Sequence, residues 1–185
     1  MSMGMLGVRK TLVTVLAMSL STVALAAPAS ARNDGPISAS SGVSALEAAV
    51  LSNVNQIRVQ HGLRALKLSN RLSAAATQQS ASMGAKGFFG HNSADGTAFW
   101  KRIRRYYTDR NYRYWSVGEN LLWSSPDVDA TQALDMWMKS PEHRANLLSK
   151  RWREIGLSAI HVQAAPGAFQ GLDVTIVTAD FGVRR

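Results

Sequence analysis

The sequence contains no cysteine, which excludes disulfide bonds, thiolate metal ligands and a cysteine nucleophile. It also lacks an HExxH pattern and a Gly-x-Ser-x-Gly elbow, the short signatures of zinc proteases and of many serine hydrolases. No internal repeat or low-complexity tract is present. Acidic residues are scarce, 12 against 21 basic ones, and the resulting formal charge of +9 favours anionic surfaces as partners.

The first 31 residues have the pattern of a secretory signal peptide. Arg9 and Lys10 form a positive start, residues 11–27 are an apolar run, and Ala29–Ala31 supplies the small residues of a cleavage site. An alternative cleavage site follows Ala26. The run is short for a membrane anchor, which needs about 20 apolar residues. We therefore expect a secreted protein, extracellular or periplasmic, with no transmembrane segment after cleavage.

The rest of the chain divides into a leader and one domain. Residues 32–43 are small and polar with glycine and proline, which is typical of a flexible leader. Residues 44–185 are numerous enough to bury a core of their own. Loss of residues 1–31 removes two basic residues and no acidic one, which lowers the formal charge to +7.

Apolar residues at helical spacing, together with capping signals, predict three helices before residue 107. The first begins at a capping box formed by Ser44 and Glu47, and the second begins at Ser69 or Asn70. The third is a shorter stretch within residues 99–106, and a loop rich in arginine and tyrosine follows it.

Two further helices are predicted from proline in a first helical turn. One begins at Ser125–Asp127 and the other at Ser140–Glu142. His143 then lies in the first turn of a short helix, where the helix dipole lowers the pKa of an imidazole and favours its neutral, metal-binding form.

The last third of the chain changes to strand periodicity. Residues 155–160 alternate between the two faces of a strand, and residues 172–179 are rich in β-branched side chains. Residues 165–167 contain proline and glycine, so the two strands are expected to form an antiparallel hairpin. Helices followed by strands predict an α+β fold, with helices on both faces of a small antiparallel sheet.

Three polar residues in separate segments are candidates for a site: His91, Glu119 and His143. If the fold brings them together, they can bind a divalent cation or relay a proton. Each also has a structural explanation, since Glu119 can accept backbone amides in a tight loop and His143 can support a helix end. His61 and His161 are expected to be ordinary surface or core histidines.

Five short motifs follow one another in a familiar order: Phe89–His91, Gly118–Asn120, Trp137–Leu148, Glu154–Leu157 and Asp180–Gly182. They resemble the motifs of the CAP superfamily, the cysteine-rich secretory proteins, antigen 5 and pathogenesis-related proteins, and in particular its compact bacterial SCP-like branch. The resemblance covers nearly all of the predicted domain. It implies a three-layer α-β-α sandwich with a shallow central cleft.

The resemblance also implies a metal site. Many family members line the cleft with two histidines and two acidic residues that bind a divalent metal. His91, His143 and Glu119 match three of these positions, with zinc as the expected ion. The fourth position, a glutamate on the helix after the first histidine, has no counterpart in residues 100–105. Asp95 is the reserve candidate for it.

Residues 101–114 carry six cations interleaved with four tyrosines. Cations and aromatic rings together can bind nucleic acid, but an exported protein seldom meets nucleic acid. An amphipathic helix with a solvated basic face has the same composition. Nucleic acid is therefore not an expected partner, and an anionic membrane or an acidic envelope polymer suits this face better.

Two classes of function remain. The first is a secreted binding module that uses the cleft or an adjoining apolar groove for a metal, a small molecule or a lipid, as the resemblance to metal-binding and sterol-binding family members implies. The second is a metal-assisted extracellular hydrolase of proteins or cell-wall polymers, with water activated near Glu119. The absence of a second glutamate favours binding, because water activation needs an orienting acid and a separate base.

Overall fold

The computed structural model describes residues 44–185. The predicted signal peptide and leader, residues 1–43, lie outside this range. The described residues form five α-helices, four β-strands and a short 3-10 helix. In chain order they are α1 (Ala45–Gln60), β1 (Lys67–Leu68), α2 (Asn70–Lys86), α3 (Phe99–Tyr106), β2 (Trp115–Ser124), α4 (Ala130–Lys139), α5 (Pro141–Leu147), β3 (Glu154–Ala165), the 3-10 helix (Gly167–Phe169) and β4 (Leu172–Arg184).

The four strands form one sheet in the order β1-β3-β4-β2. Strands β3 and β4 pair antiparallel, which confirms the predicted hairpin. Strand β2 pairs antiparallel with the other side of β4, and the two-residue β1 pairs parallel with β3. The sheet is therefore mixed, where the sequence predicted only antiparallel strands, because β1 is too short to be recognised by periodicity.

Strand β2 corrects the interpretation of Gly118–Asn120 as a tight loop. These residues lie in the middle of a ten-residue strand. The usual alternation of apolar and polar residues is interrupted because Glu119 and Asn120 are adjacent, polar and both buried. Each has its own polar partner: Glu119 meets Arg102 of α3, and Asn120 meets Asn146 of α5.

Helices cover both faces of the sheet, so the predicted three-layer α-β-α sandwich is confirmed. Helices α2 and α3 pack on one face, and helices α1, α4 and α5 lie on the other. Trp137 of α4 is fully buried in the second layer, and its indole N–H donates to the carbonyl of Leu121 at 3.2 Å. Truncation of a buried tryptophan of this kind typically costs about 3–5 kcal/mol.

The helix starts follow local capping chemistry. The amide of Glu47 donates to the hydroxyl of Ser44 at 3.2 Å, and the amide of Ser44 donates to the Glu47 carboxylate at 2.8 Å, which confirms the capping box of α1. Helix α5 begins at Pro141 as predicted and leaves His143 in its first turn. No helix in the described part of the chain is long and apolar enough to cross a membrane.

Helix α4 begins later than predicted. The start signal at Ser125–Asp127 lies before the helix, whose N-cap is Asp129. The carboxylate of Asp129 accepts the amides of Thr131 and Gln132, both at 2.8 Å, so it satisfies two of the free donors of the first turn. A carboxylate that binds two amides is a stronger cap than the upstream proline signal.

Candidate functional site

A polar cleft of about 400 Å³ lies where strand β2 meets helix α5 and the segment that follows it. His91, Glu119 and His143 all line this cleft. Gly118, Asn120, Glu142, Asn146, Ser149, Arg151 and Trp152 also line it, together with Val117 and Ala145.

His91 and Glu119 form a direct pair. Nδ1 of His91 lies 2.9 Å from Oε1 of Glu119, whose side chain is fully buried, whereas 51% of the His91 side chain is exposed. An ionised carboxylate can only accept, so Nδ1 carries the proton in this pair. The carboxylate thereby selects the tautomer in which Nε2 keeps its lone pair for a ligand or a proton.

Arg102 of α3 occupies the other oxygen of Glu119. Its Nη2 donates to Oε2 of Glu119, and its Nη1 donates to the carbonyl of His91 at 3.2 Å. Only 1% of the Arg102 side chain is exposed. With one protein donor on each oxygen, Glu119 is held in place and orients His91.

The same contacts explain the missing second acid. The helix on which the resemblance places a second glutamate carries the buried cation Arg102 instead. The composition of residues 101–114 favoured a solvated basic face that included this arginine. That interpretation was wrong for Arg102, because helical position alone does not reveal a buried carboxylate partner.

Asp180 adds a second buried carboxyl group behind Glu119. It lies directly opposite Glu119 in the β2–β4 ladder, is fully buried, and places Oδ1 3.9 Å from Nη2 of Arg102. Burial, together with the charge of Glu119, raises the pKa of Asp180 well above its ordinary value. One guanidinium is thus shared by two carboxyl groups, and the protonated form of Asp180 is favoured.

His143 supplies the second imidazole of the cleft. Burial lowers the pKa of His143, and the nearby His91 lowers it further, against the opposite effect of Glu142. The side chain is therefore neutral at neutral pH, the state in which imidazole binds metals. Its backbone carbonyl accepts a hydrogen bond from the Asn120 side chain at 3.0 Å, which ties helix α5 to strand β2.

Asn146 completes this connection. Its Nδ2 donates to the carbonyl of Glu119 at 3.2 Å and to the Asn120 side chain at 3.0 Å, while the Trp152 indole donates to its Oδ1 at 2.9 Å. Strand β2 approaches so closely that a Cβ on Gly118 would lie 2.7 Å from Oδ1 of Asn146. A glycine is required here because the amide network leaves no room for a side chain.

The structure does not bring Asp95 into the cleft. Its carboxylate accepts the amide of Thr97 at 2.9 Å in an exposed turn, and this hydrogen bond lowers the pKa of Asp95. Within residues 44–185 no three histidine, aspartate or glutamate side chains are grouped closely enough to hold a metal ion. The described residues therefore do not fit the four-ligand set of the family.

The remaining histidines have local partners outside the cleft. Nδ1 of His61 lies 2.9 Å from the carbonyl of Ile57, one helical turn earlier. Nδ1 of His161 lies 3.3 Å from the hydroxyl of Thr175 and 3.4 Å from Asp127. Both are therefore histidines with ordinary local partners, as expected from the sequence.

An apolar groove of about 280 Å³ adjoins the cleft and shares His143 with it. Phe89 and Met136 on its walls are 41% and 43% exposed. Leu121, Leu122, Trp123, Trp137 and Ser140 complete the lining.

Comparison with known proteins agrees with this architecture. Residues 51–179 match the model of the cysteine-rich secretory protein family, CAP. The uncharacterized protein YkwD of Bacillus subtilis is 29% identical over 135 residues, which are 72% of this chain and 50% of that protein. The chain therefore spans about half the length of this relative.

Two solved structures share the fold. An outer surface protein from Borrelia burgdorferi has a TM-score of 0.56 at 20% identity, with 74% of this chain and 90% of that chain covered. An extracellular protein containing a SCP domain from Bacillus anthracis has a TM-score of 0.55 at 24% identity, with 74% and 39% covered. The family match spans most of the chain, and the chain belongs to the cysteine-rich secretory protein (CAP) family.

Proposed function

We propose that this protein is an exported binding module whose polar cleft takes up a divalent transition-metal ion through the imidazoles of His91 and His143. The observation that carries the proposal is the 2.9 Å contact between His91 and Glu119, which holds one imidazole in a metal-binding tautomer inside a cleft lined by a second. A carboxylate that orients a metal-binding histidine is a recurrent feature of such sites.

The donor set indicates which ions suit the cleft. Neutral imidazole nitrogens suit zinc, copper or nickel, whereas calcium and magnesium prefer oxygen ligands. An ion held by two protein nitrogens would keep positions open for a ligand and would supply Lewis acidity there.

Export is supported by the N-terminal sequence and by the neighbours in structure. Residues 1–31 have the pattern of a signal peptide. The two similar structures are named an outer surface protein and an extracellular protein. An extracytoplasmic location also exposes the cleft to ligands outside the cell.

The apolar groove next to the cleft allows ligands that have an apolar part as well as a polar end. Because the groove and the cleft share His143, a small molecule or lipid with a polar end can reach the imidazoles while its apolar part contacts Phe89 and Met136. Such a ligand would use the cleft and the groove together.

The test is a calorimetric zinc titration of the exported protein, beginning at Arg32. We expect one zinc ion per chain for the wild type and no binding for the double variant His91→Ala, His143→Ala. Glu119→Gln should weaken binding about 10–100-fold, since loss of a carboxylate that orients a metal-binding histidine typically has this effect. Circular dichroism should show that each variant is folded.

The matched control is His61→Ala, His161→Ala, which removes two histidines outside the cleft. This variant should bind zinc as the wild type does. Equal loss of binding in both double variants, or unchanged binding in the cleft variant, would refute the assignment.

A second candidate function is the hydrolysis of peptides or cell-wall polymers. The observation that favours it is the same carboxylate–imidazole pair, because Nε2 of an oriented histidine can accept a proton from water. Ser149 is the serine on the cleft wall, and within the described residues its hydroxyl accepts the amide of Arg151 at 3.4 Å and pairs with no histidine. Water, and not serine, would therefore be the nucleophile.

Labelled casein and labelled peptidoglycan distinguish the two functions. Turnover that is lost in His91→Ala and kept in the His61→Ala, His161→Ala control would support hydrolysis. Zinc binding without turnover of either substrate would support the binding module.

A further inference from the structure

A second cavity, of about 550 Å³, is lined by five cationic residues and, within the described part of the chain, by no acidic residue. The cations are Arg64, Lys150, Arg151, Arg153 and Arg185. Gly62 and Leu63 complete the wall. These residues come from the segment after α1, the segment between α5 and β3, and the end of the described chain.

The basic groove along α3 differs in this respect. That groove, of about 630 Å³, contains Asp109, whose carboxylate lies 2.7 Å from Nη2 of Arg104. Part of its positive charge is therefore neutralised by the protein itself. In the five-cation cavity the described lining residues supply no side-chain carboxylate.

Buried charge behind the cavity increases the positive field. Arg58 of α1 is fully buried between the segments that form the wall: its Nε donates to the carbonyl of Arg64 at 3.0 Å and its Nη1 to that of Ser149 at 3.1 Å. Its Nη2 has no hydrogen-bond partner within residues 44–185. Burial and the nearby charge of Arg153 lower the pKa of Arg58.

Neutral groups hold several of these arginines in place. The guanidinium of Arg151 lies 5.2 Å from the ring of Trp152, and that of Arg185 lies 4.8 Å from the ring of Tyr114. Arg153 donates to the carbonyls of residues 150–152 at 2.8–3.3 Å. These contacts orient the cations without neutralising them, and like charges held together in this way repel one another until an anion binds.

We propose that this cavity binds a polyvalent phosphate, either free or as the phosphate group of a larger molecule. Guanidinium groups match phosphate oxygens in pairs, which favours phosphate over a singly charged carboxylate. The cavity has the volume of a small-ligand site. Leu63 is the only large apolar residue among the described residues of the wall, so the ligand is selected by charge and not by an aromatic or lipid portion.

This site is separate from the proposed metal site. Arg151 lines both the cavity and the polar cleft, but neither His91 nor His143 lines the cavity. The phosphate proposal therefore does not depend on metal binding. If zinc does not bind to the cleft, the phosphate proposal still stands, and if phosphate does not bind to the cavity, the metal proposal still stands.

Inorganic tripolyphosphate is the probe, titrated calorimetrically into the exported protein at moderate salt without added metal. We expect one-to-one binding that weakens as salt rises. The test variant is Arg64→Gln, Lys150→Gln, because both side chains are exposed and neither forms an ion pair within residues 44–185. Each lost charge-assisted bond should weaken binding about tenfold.

The matched control is Lys101→Gln, Arg105→Gln in the α3 groove, which removes the same charge from a different surface. It should change the affinity less than about twofold, as expected for screened charges at a distance. Equal weakening in both variants, binding of several ions per chain, or no binding at all would refute the cavity as a specific site.

Vesicles that contain phosphatidylglycerol separate the two sources of phosphate. Binding to vesicles that tripolyphosphate displaces and that Arg64→Gln, Lys150→Gln weakens would support a lipid headgroup as the source. One-to-one tripolyphosphate binding without vesicle binding would support a soluble phosphate. Vesicle binding that tripolyphosphate does not displace, in the absence of one-to-one binding, would refute the proposal.

Discussion

At the scale of single residues, the centre of the site is the buried arrangement of Glu119, Arg102 and Asp180. Separation of such charges from their partners inside a protein is strongly destabilising, typically by about 3–5 kcal/mol when one partner is removed. Here a single guanidinium serves two carboxyl groups, and the less well paired one, Asp180, favours its protonated form. Glu119 then remains the charged partner that orients His91.

Replacement of Asp180 by asparagine tests this distribution of charge. Because the pKa of Asp180 is raised in the folded protein, its protonation stabilises the fold at low pH, and this contribution is lost as the pH rises above about 4. Asp180→Asn resembles the protonated form at every pH. The difference in unfolding free energy between wild type and variant should change by up to about 1.4 kcal/mol per pH unit above pH 4.

Urea unfolding of both proteins between pH 4 and 8 measures this difference. The wild type should lose stability relative to Asp180→Asn as the pH rises. Stability curves that stay parallel across this range would show that Asp180 is ionised in the folded protein.

A site residue can be predicted from the sequence only where it differs from what its local segment would normally contain. His91, Glu119 and His143 stand out as polar residues in motifs, and the structure brings all three to one cleft. Arg102 does not stand out, because an arginine in a basic amphipathic helix is normally solvated. Asp180 falls in a run of β-branched residues, and nothing local shows that its neighbour across the ladder is a glutamate.

At the scale of elements, strand β2 and helix α5 position the two imidazoles. The side-chain amides of Asn120 and Asn146 connect the two elements through the carbonyls of His143 and Glu119. This connection requires close approach at Gly118. The position of His143 relative to His91 therefore depends on the backbone of β2 as much as on α5 itself.

Gly118→Ala tests the role of this close approach. The new methyl group would lie 2.7 Å from both Asn146 Oδ1 and a ring carbon of Trp152, so α5 must move away from β2. We expect the free energy of unfolding to fall by about 1–3 kcal/mol, as for other overpacked sites, and zinc binding to weaken. Urea unfolding and zinc calorimetry measure the two effects.

Gly90→Ala is the control for this variant, because no described atom outside Gly90 and its two chain neighbours lies within 4 Å of a Cβ at that position. Its stability should stay within about 0.5 kcal/mol of the wild type, as is usual for unhindered surface substitutions. Equal stability of the Gly118 and Gly90 variants would show that α5 does not depend on the close approach.

Element boundaries were predicted well where the chemistry is local. The starts of α1 and α5 depend on residues three or fewer positions apart, and both were correct. The predicted start of α4 was wrong because two start signals, Ser125–Asp127 and Asp129, occur within five residues of each other. Strand β2 was missed because its central polar residues are buried by partners from α3 and α5, which are distant in sequence.

At the scale of the whole molecule, the excess of positive charge is divided between separate surfaces. One of these surfaces lies along α3, where Asp109 neutralises part of the charge. Another surrounds the five-cation cavity, where no side chain of the described lining is acidic. The net charge of +9 predicts attraction to anions, but it does not indicate which part of the surface binds them. Only the folded arrangement shows where cations gather without acidic partners.

The sequence by itself determined the α+β class, the order of the helices, the β3–β4 hairpin and the identity of the two cleft histidines, because these follow from periodicity, capping and short motifs. Tertiary structure decided the roles of Glu119, Arg102 and Asp180, the membership of β2 in the sheet, and the cationic cavity. The physical reason is the same in each case: burial and charge pairing depend on partners from distant segments, which local sequence does not specify.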